Sequence, residues 1–238
     1  MVSELKLGAM DVDVVLKDIK NVHLSVHPPA GRVRVSAPAR MSLDTIRVFV
    51  ISKLDWIRQQ QKKLREQERE TPREYLDRES HYAWGRRYLL EVVQSEEPSG
   101  ILLRHRRLIL TVRPGTKQAG KDALLARWYR DEIRARTLEL IAKWELILGV
   151  KVKQLFVQQM KTKWGSCNSC ASTIRLNTEL AKKPLECLEY IVVHEMIHLL
   201  EPTHNARFVA LMDQSMPRWQ FLRQKLNRLP VRHVDWDY

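Results

Sequence analysis

The segment that most narrows what this chain can fold into is Ile191-Val192-Val193-His194-Glu195-Met196-Ile197-His198-Leu199-Leu200. Apolar residues fall on nearly every side of a helix drawn through it, so such a helix has to be mostly buried, yet it carries two imidazoles and a carboxylate. Buried polar groups need partners, because an unsatisfied one costs about 1–3 kcal/mol. The fold must therefore bring to this helix either a hydrogen-bonding network or an ion. His194 and His198 lie one helical turn apart on one face, where both can grip a single cation. In sites of this kind the carboxylate beside them, here Glu195, does not bind the ion but takes a proton from a water that the ion has acidified.

A catalytic zinc usually has three protein ligands and one open position. His204 reaches the same ion if the chain folds back through Glu201-Pro202-Thr203, with Pro202 ending the helix. Glu201, on the helical face of His198, and Asp213, on a following helix, are the alternatives. Arg207 and Tyr190 are near in sequence but read as a surface arginine and a core tyrosine, so no oxyanion helper is assigned. Cys167 and Cys170 form a lone Cys-x-x-Cys. No second pair accompanies it and Trp164-Gly165-Ser166-Cys167-Asn168-Ser169 reads as a tight turn, so a structural role is expected rather than half a zinc site or a redox pair.

Elsewhere the periodicity predicts an α+β fold. Residues 11–38 alternate, with Val22, Leu24 and Val26 set against Val33 and Val35 across Pro28-Pro29-Ala30-Gly31, which reads as a β-hairpin. Ser42 opens a helix through Leu43, Ile46, Val50, Leu54 and Ile57 that runs on into a solvated, charged stretch before Pro72. Strands are expected at 88–93, 101–104 and 108–112, and a long helix from Gly120 to about Leu148 with Tyr129, Ile133, Leu140 and Trp144 on one face, stopped by Gly149. Short strands follow at 152–160 and 172–176, then a helix with Pro184 in its first turn. The expected division is a β-rich region with one helix over 1–118 and a helix-dominated core over 119–238, with no internal repeat.

Lysine and arginine outnumber aspartate and glutamate 41 to 28, for a net charge of +13. That excess draws polyanions, and Arg127, Arg130 and Arg134 recur on one side of the long helix while Arg104, Arg106 and Arg107 cluster in a turn. A nucleic-acid partner is one reading of this charge, and an ordinary solvated surface is the other. No run approaches the roughly 18 apolar residues of a membrane span, and neither an apolar leader nor a disulfide framework stands out among three cysteines. A cytoplasmic address is expected, and no feature sets an oligomeric state.

Several motifs together resemble one family. Met160-Lys161-Thr162-Lys163-Trp164-Gly165-Ser166-Cys167, Leu176-Asn177, Leu180, the His194 to His198 segment with His204-Asn205, and Met216-Pro217-Arg218-Trp219 are similar to the YgjP-like metallopeptidases, relatives of the SprT-like zinc proteases. Weaker similarity in the hairpin, at Trp56-Ile57 and at Trp84-Gly85-Arg86-Arg87 extends this over nearly the whole chain. The resemblance implies a zincin-like core with one zinc ion per chain, His204 as third ligand beside His194 and His198, and Glu195 as base in cleaving a peptide or protein substrate. It also implies that the strand near 172–176 flanks the cleft, where an extended peptide pairs with its edge. Trp164 reads as a packing residue anchoring the turn before that strand. Many relatives have a glycine where this chain has Cys170-Ala171, so that turn is expected to differ. Two other functions suit the same residues: a metal-dependent hydrolase of non-peptide amides or esters, and a nucleic-acid-associated protein whose zinc is structural or vestigial.

Overall fold

A computed structural model describes residues 2–8, 10–27, 31–66, 74–160 and 163–230. The expected turn at 28–30 and Pro72 lie outside the described residues, as do Lys161 and Thr162. The chain forms two compact units, one within residues 1–70 together with 230–238, the other over 71–229.

In the first unit, β1 (Val2–Leu7) turns at Gly8 into β2 (Met10–Lys17), and β3 (His23–His27) pairs with β4 (Arg32–Pro38) as the expected hairpin. The sheet order is β1-β2-β4-β3, with β2 and β4 parallel at its centre. Val12, Val14, Val33 and Val35 alternate onto one buried face. Ile46 and Val50 of α1 (Leu43–Ser52) and Ile57 of α2 (Leu54–Glu66) complete that core. The single helix expected here is two: the Lys53 N–H donates to Val50 O at 3.0 Å, a tightened final turn that ends α1 before α2 begins.

The second unit opens with β5 (Ser80–Ala83), β6 (Arg86–Gln94), β7 (Gly100–Arg104) and β8 (Arg107–Val112), ordered β5-β6-β8-β7 with β6 and β8 parallel. Its strand order repeats that of the first sheet, a repeat of topology that no repeat of sequence announces. α3 (Gln118–Leu148), about 46 Å long at 1.5 Å per residue, ends on Gly149 in the left-handed region at φ 66°. A three-stranded sheet of β9 (Gln154–Gln158), β10 (Gly165–Asn168) and β11 (Thr173–Asn177) comes next. After a 3₁₀ turn at Thr178–Lys182 come α4 (Leu185–Ile197), α5 (Ala206–Ser215) and α6 (Trp219–Arg228). The molecule is thus α+β, β-rich first and helical later.

Two expectations are corrected here. Residues 165–168, read as a tight turn, form the strand β10. The strand at 173–177, expected to offer its edge to a peptide, is the middle strand of its sheet, antiparallel to β10 on one side and parallel to β9 on the other. Both of its edges are occupied, and β10 and β9 are the edge strands.

The two-residue turn Trp84-Gly85, with both residues at positive φ as a tight hairpin requires, holds the second sheet to the segment that launches α4. Trp84 N–H donates to Ala181 O at 2.7 Å, Gly85 N–H to Lys182 O at 3.2 Å, and the Trp84 indole to Glu132 of α3 at 3.1 Å. The Trp144 indole of α3 donates to Glu189 of α4 at 3.0 Å. Leu90, Leu108 and Leu110 share one core with Ile133, Ile141, Val192 and Met196. The division expected at 118/119 therefore falls at the start of α3, inside the second unit, because β5–β8 pack with the helices that follow them. Among the described residues no helix is long and apolar enough to cross a membrane.

Candidate metal centre

The last turn of α4 carries His194 and Glu195, and His198 stands at its C-cap. The N–H groups of Leu199, Leu200 and Glu201 are satisfied by Met196 and Ile197 carbonyls at 2.9–3.0 Å, so the chain leaves the helix in a tight turn before reaching Pro202. It folds back and enters α5 under Asn205, whose Oδ1 accepts the Phe208 N–H at 3.0 Å. That cap brings His204 over the end of α4. Phe208, 2 % exposed, packs its ring 4.7–4.9 Å from the centroids of all three imidazoles and forms the floor beneath them.

One ring nitrogen from each of His194, His198 and His204 lies within 4.8 Å of the others. His194 Nε2 and His204 Nε2 are 3.0 Å apart, lone pair toward lone pair unless a proton or a cation lies between them. His198 Nδ1 sits 3.0 Å from Glu201 O, a contact in which the ring donates, so its Nε2 keeps a free lone pair. Burial and the neighbouring His198 and His204 push His194 down to about 3, and burial also lowers His204, so both rings are neutral near pH 7. Burial drives Glu195 up to about 8, with the Lys163 charge pulling the other way. Glu195 is 5 % exposed, and among the described residues no group donates a hydrogen bond to its carboxylate. Three nitrogen donors converging on one point, with no fourth ligand grouped with them among the described residues, fit a cation of borderline softness that keeps one position open.

The alternatives for a third ligand are engaged elsewhere. The Glu201 carboxylate accepts the Thr203 N–H and hydroxyl at 3.3 and 3.0 Å, and Asp213 accepts the Trp219 indole at 2.7 Å. Arg207 directs its charge at Glu201. Tyr190 is buried edge-on to His194, ring centroids 5.9 Å apart, with its phenol pushed by burial up to about 12.

A cleft of about 300 Å³ opens over the imidazoles, one wall made by His194, Glu195, His198, Pro202 and His204. The facing wall is β10 and its flanks: Lys163, Gly165, Ser166, Cys167 and Ser169. Reading residues 165–168 as a turn missed this wall. The available signal was Gly165 inside a strand-length run, since glycine within a strand marks close approach of a neighbour. A Cβ at Gly165 would sit 2.7 Å from Glu195 Oε1 and 2.9 Å from Ile191 Cγ2, so only glycine lets β10 lie against α4. Asn177, 5 % exposed, fixes the approach to β10 by donating to the carbonyls of Met160 and Lys163, both at 2.9 Å.

Cys167 and Cys170 are both free. Burial, reinforced by Glu195, pushes the Cys167 thiol up to about 11, so it is neither thiolate nucleophile nor ready ligand near pH 7. The left-handed residue of the turn before β11 is Ser172, at φ 51°. Trp164 is half-buried against the core. Arg127, Arg130 and Arg134 are exposed on α3 and line no part of the cleft, as do Arg104 and Arg106, while Arg107 pairs with Glu91 at 3.0 Å.

Comparison with solved structures finds likeness to the metallopeptidase zymogen of Pyrococcus abyssi abylysin, at 21 % identity over 38 % of this chain and 90 % of that one, with a TM-score of 0.36. The metallopeptidase zymogen of Methanocaldococcus jannaschii jannalysin is similar at 23 % identity over 40 % of this chain and 92 % of that one, with a TM-score of 0.33. No curated protein matches the chain. The family model of the YgjP-like metallopeptidase domain, by contrast, matches residues 20–229, and the chain belongs to that metallopeptidase family.

Proposed function

We propose that this family member is a zinc-dependent peptidase in which His194, His198 and His204 hold one zinc ion per chain and Glu195 is the general base. The observation that carries the reading is the meeting of three imidazole nitrogens within 4.8 Å beside a buried carboxylate that lacks a donor among the described residues. Bound zinc would supply Lewis acidity toward the scissile carbonyl and the attacking water. Glu195 accepts the water's proton on its carboxylate and passes it to the departing amine. Phe208 and Ile191 exclude solvent from beneath. The outer edge of β10 faces the same cleft and suits antiparallel pairing with an extended peptide, which favours a peptide over a small ester or amide. Nucleic-acid binding rests on charge and on arginines outside the cleft, and is the less supported reading.

The test is Glu195→Gln assayed with metal analysis of the same preparations on a panel of peptides and esters. The variant should keep its zinc and cleave peptides about a hundredfold to ten-thousandfold more slowly. Wild-type rates in the variant would remove Glu195 from the reaction, loss of zinc would make it a ligand or a folding residue, and turnover confined to esters would replace the peptidase with a hydrolase of another class.

A further inference from the structure

We infer that Lys163 selects a carboxylate on the peptide substrate, supplied by an acidic side chain or by a free C-terminus. The inference rests on the peptidase reading above and names a specificity-determining residue within it.

Four lysines elsewhere in this unit are paired with carboxylates. Lys182 pairs with Glu179, Lys225 with Glu186 and Lys151 with Glu145, each at 2.6 Å, and Lys143 pairs with Glu189 at 2.7 Å. Lys163 has no carboxylate within ion-pair distance among the described residues, and it is the one lysine or arginine in the cleft lining. It is also held in position. Asn177 binds its carbonyl at 2.9 Å, the Asn177 N–H donates to the carbonyl of Trp164 at 2.9 Å, and the Trp164 side chain is anchored in the core. The lysine stem thus leaves a fixed point just before β10, the strand along which an extended peptide would run.

The chemistry around it favours an anion. Glu195 is the one acid in the cleft lining, and its carboxylate is committed to the reaction in the reading above. Ser166 and Ser169 add hydroxyl donors to the wall that carries Lys163. An acidic group arriving on a peptide meets an ammonium that, among the described residues, has no carboxylate within ion-pair distance, whereas a basic one meets like charge. Because Lys163 is exposed, the attraction is moderated by solvent until the peptide covers it, and a selectivity of about fivefold to tenfold is expected.

The experiment uses zinc-loaded Glu195→Gln full-length protein, which holds peptides without consuming them, titrated by calorimetry with hexapeptides. One series exchanges glutamate for glutamine at successive positions, and the other compares a free C-terminal acid with its amide. One acidic position, or the free acid, should bind about fivefold to tenfold more tightly than its neutral counterpart, and the responding series identifies the source of the carboxylate. Adding Lys163→Met should abolish that difference and leave the neutral peptide's affinity unchanged, and Lys163→Glu should transfer the preference to lysine at the same position. Without any substitution at Lys163, the difference should shrink as salt rises from about 0.05 to about 0.5 M. Equal binding of acidic and neutral peptides, a preference that survives Lys163→Met, a preference indifferent to salt, or no peptide binding would each overturn the assignment. A uniform change for every peptide in Lys163→Met would also overturn it, and would recast Lys163 as a tuner of the base. Charge-selective binding with no hydrolysis by the wild-type zinc protein would leave the assignment intact and remove the peptidase reading instead.

Discussion

The two four-stranded sheets share one strand order, two antiparallel hairpins joined by a parallel central pair, yet the units that hold them differ in how one buried carboxylate is answered. In the first unit Asp13, 7 % exposed on β2, is answered within its own sheet by Arg32 at 2.8 Å and Arg34 at 3.4 Å. In the second unit Glu195 is as deeply buried and has no hydrogen-bond donor among the described residues, beside histidines whose lone pairs converge. Strand order therefore carries no chemistry in this molecule. The proposed chemistry sits where polar groups are left unsettled, and those groups are the ones an ion would satisfy.

The widest gap between the units should open when the metal is withdrawn. His194→Ala or His198→Ala protein should purify without zinc and without hydrolytic activity. Metal that binds only the folded state stabilises it by mass action, by about 4 kcal/mol at a thousandfold excess over Kd. Hydrogen exchange should locate that loss in α4 and β10 while β2 and β4 keep their protection. Chelation of the wild type should reproduce the pattern, and full zinc occupancy in either variant would sink the site.

A second contrast concerns the sign of a charge-removing substitution. Glu195 titrates near 8 in the metal-free fold against an ordinary 4.5. Below pH 4.5 the carboxyl is protonated whether folded or unfolded, so the shift costs nothing. As pH rises from 4.5 to 8 the unfolded chain ionises first and stability is lost, with the full penalty present above 8. Metal-free Glu195→Gln should therefore be more stable than metal-free wild type by a few kcal/mol above pH 8 and indistinguishable from it below pH 4.5. Asp13→Asn should act in the other direction, costing about 1–2 kcal/mol at neutral pH because it weakens bonds to two arginines. Denaturant titrations of the two chelated variants across pH check both signs, and destabilisation by Glu195→Gln at pH 8 would mean that its carboxylate has a partner after all.

How much of this was legible in the sequence depends on whether the signal was local. α4, the stop at Gly149 and the β3–β4 hairpin were readable because periodicity, a left-handed glycine and paired valines each act over a few residues. The pairing of β2 with β4 and of β6 with β8 was not, since parallel neighbours are brought together by the whole fold. β1 and β5 were missed, and so was the membership of β5–β8 in the second unit, which depends on Trp84 reaching Ala181 and Glu132. At the site, His194, Glu195 and His198 stand in one short motif with His204 six residues on, which is why the sequence alone could propose them. Phe208, Asn177 and Lys163 reach the cleft or its walls from separate elements, and nothing local in the sequence marked that placement. Gly165 was misjudged for a physical reason: glycine and serine are common in turns, but here the missing side chain makes room for a carboxylate.

That glycine supports a third and smaller prediction. Gly165→Ala should cost about 1–3 kcal/mol and lower turnover, because the new methyl group pushes on Glu195 and Ile191. Gly31→Ala in the first unit meets only the flexible Gln61 side chain and a left-handed backbone at φ 79°, and should cost about 1–2 kcal/mol with turnover unchanged. Unfolding curves and steady-state rates for the pair separate crowding at a reactive group from backbone strain alone. Full activity in Gly165→Ala would mean that β10 can withdraw from Glu195 without consequence.

The smallest effect should come from two helix caps that are alike in kind and differ in what stands next to them. Ser42 accepts the Thr45 N–H at 3.2 Å at the start of α1, and Asn205 accepts the Phe208 N–H at 3.0 Å at the start of α5. Replacing either residue with alanine should cost about 1 kcal/mol, the usual worth of such a cap. Asn205, however, follows His204 directly, and the residue whose N–H it binds lays its ring 4.7 Å from that imidazole. Loosening the first turn of α5 therefore frees both a proposed ligand and the floor beneath it, so zinc affinity should fall severalfold in Asn205→Ala while Ser42→Ala leaves it at the wild-type value. Competition with a chromophoric chelator reads the affinity and urea unfolding reads the stability on the same samples. An unchanged affinity in Asn205→Ala at the expected stability cost would mean that the Glu201-Pro202-Thr203 turn alone positions His204, and equal weakening in both variants would trace the loss to global stability instead of to the ligand.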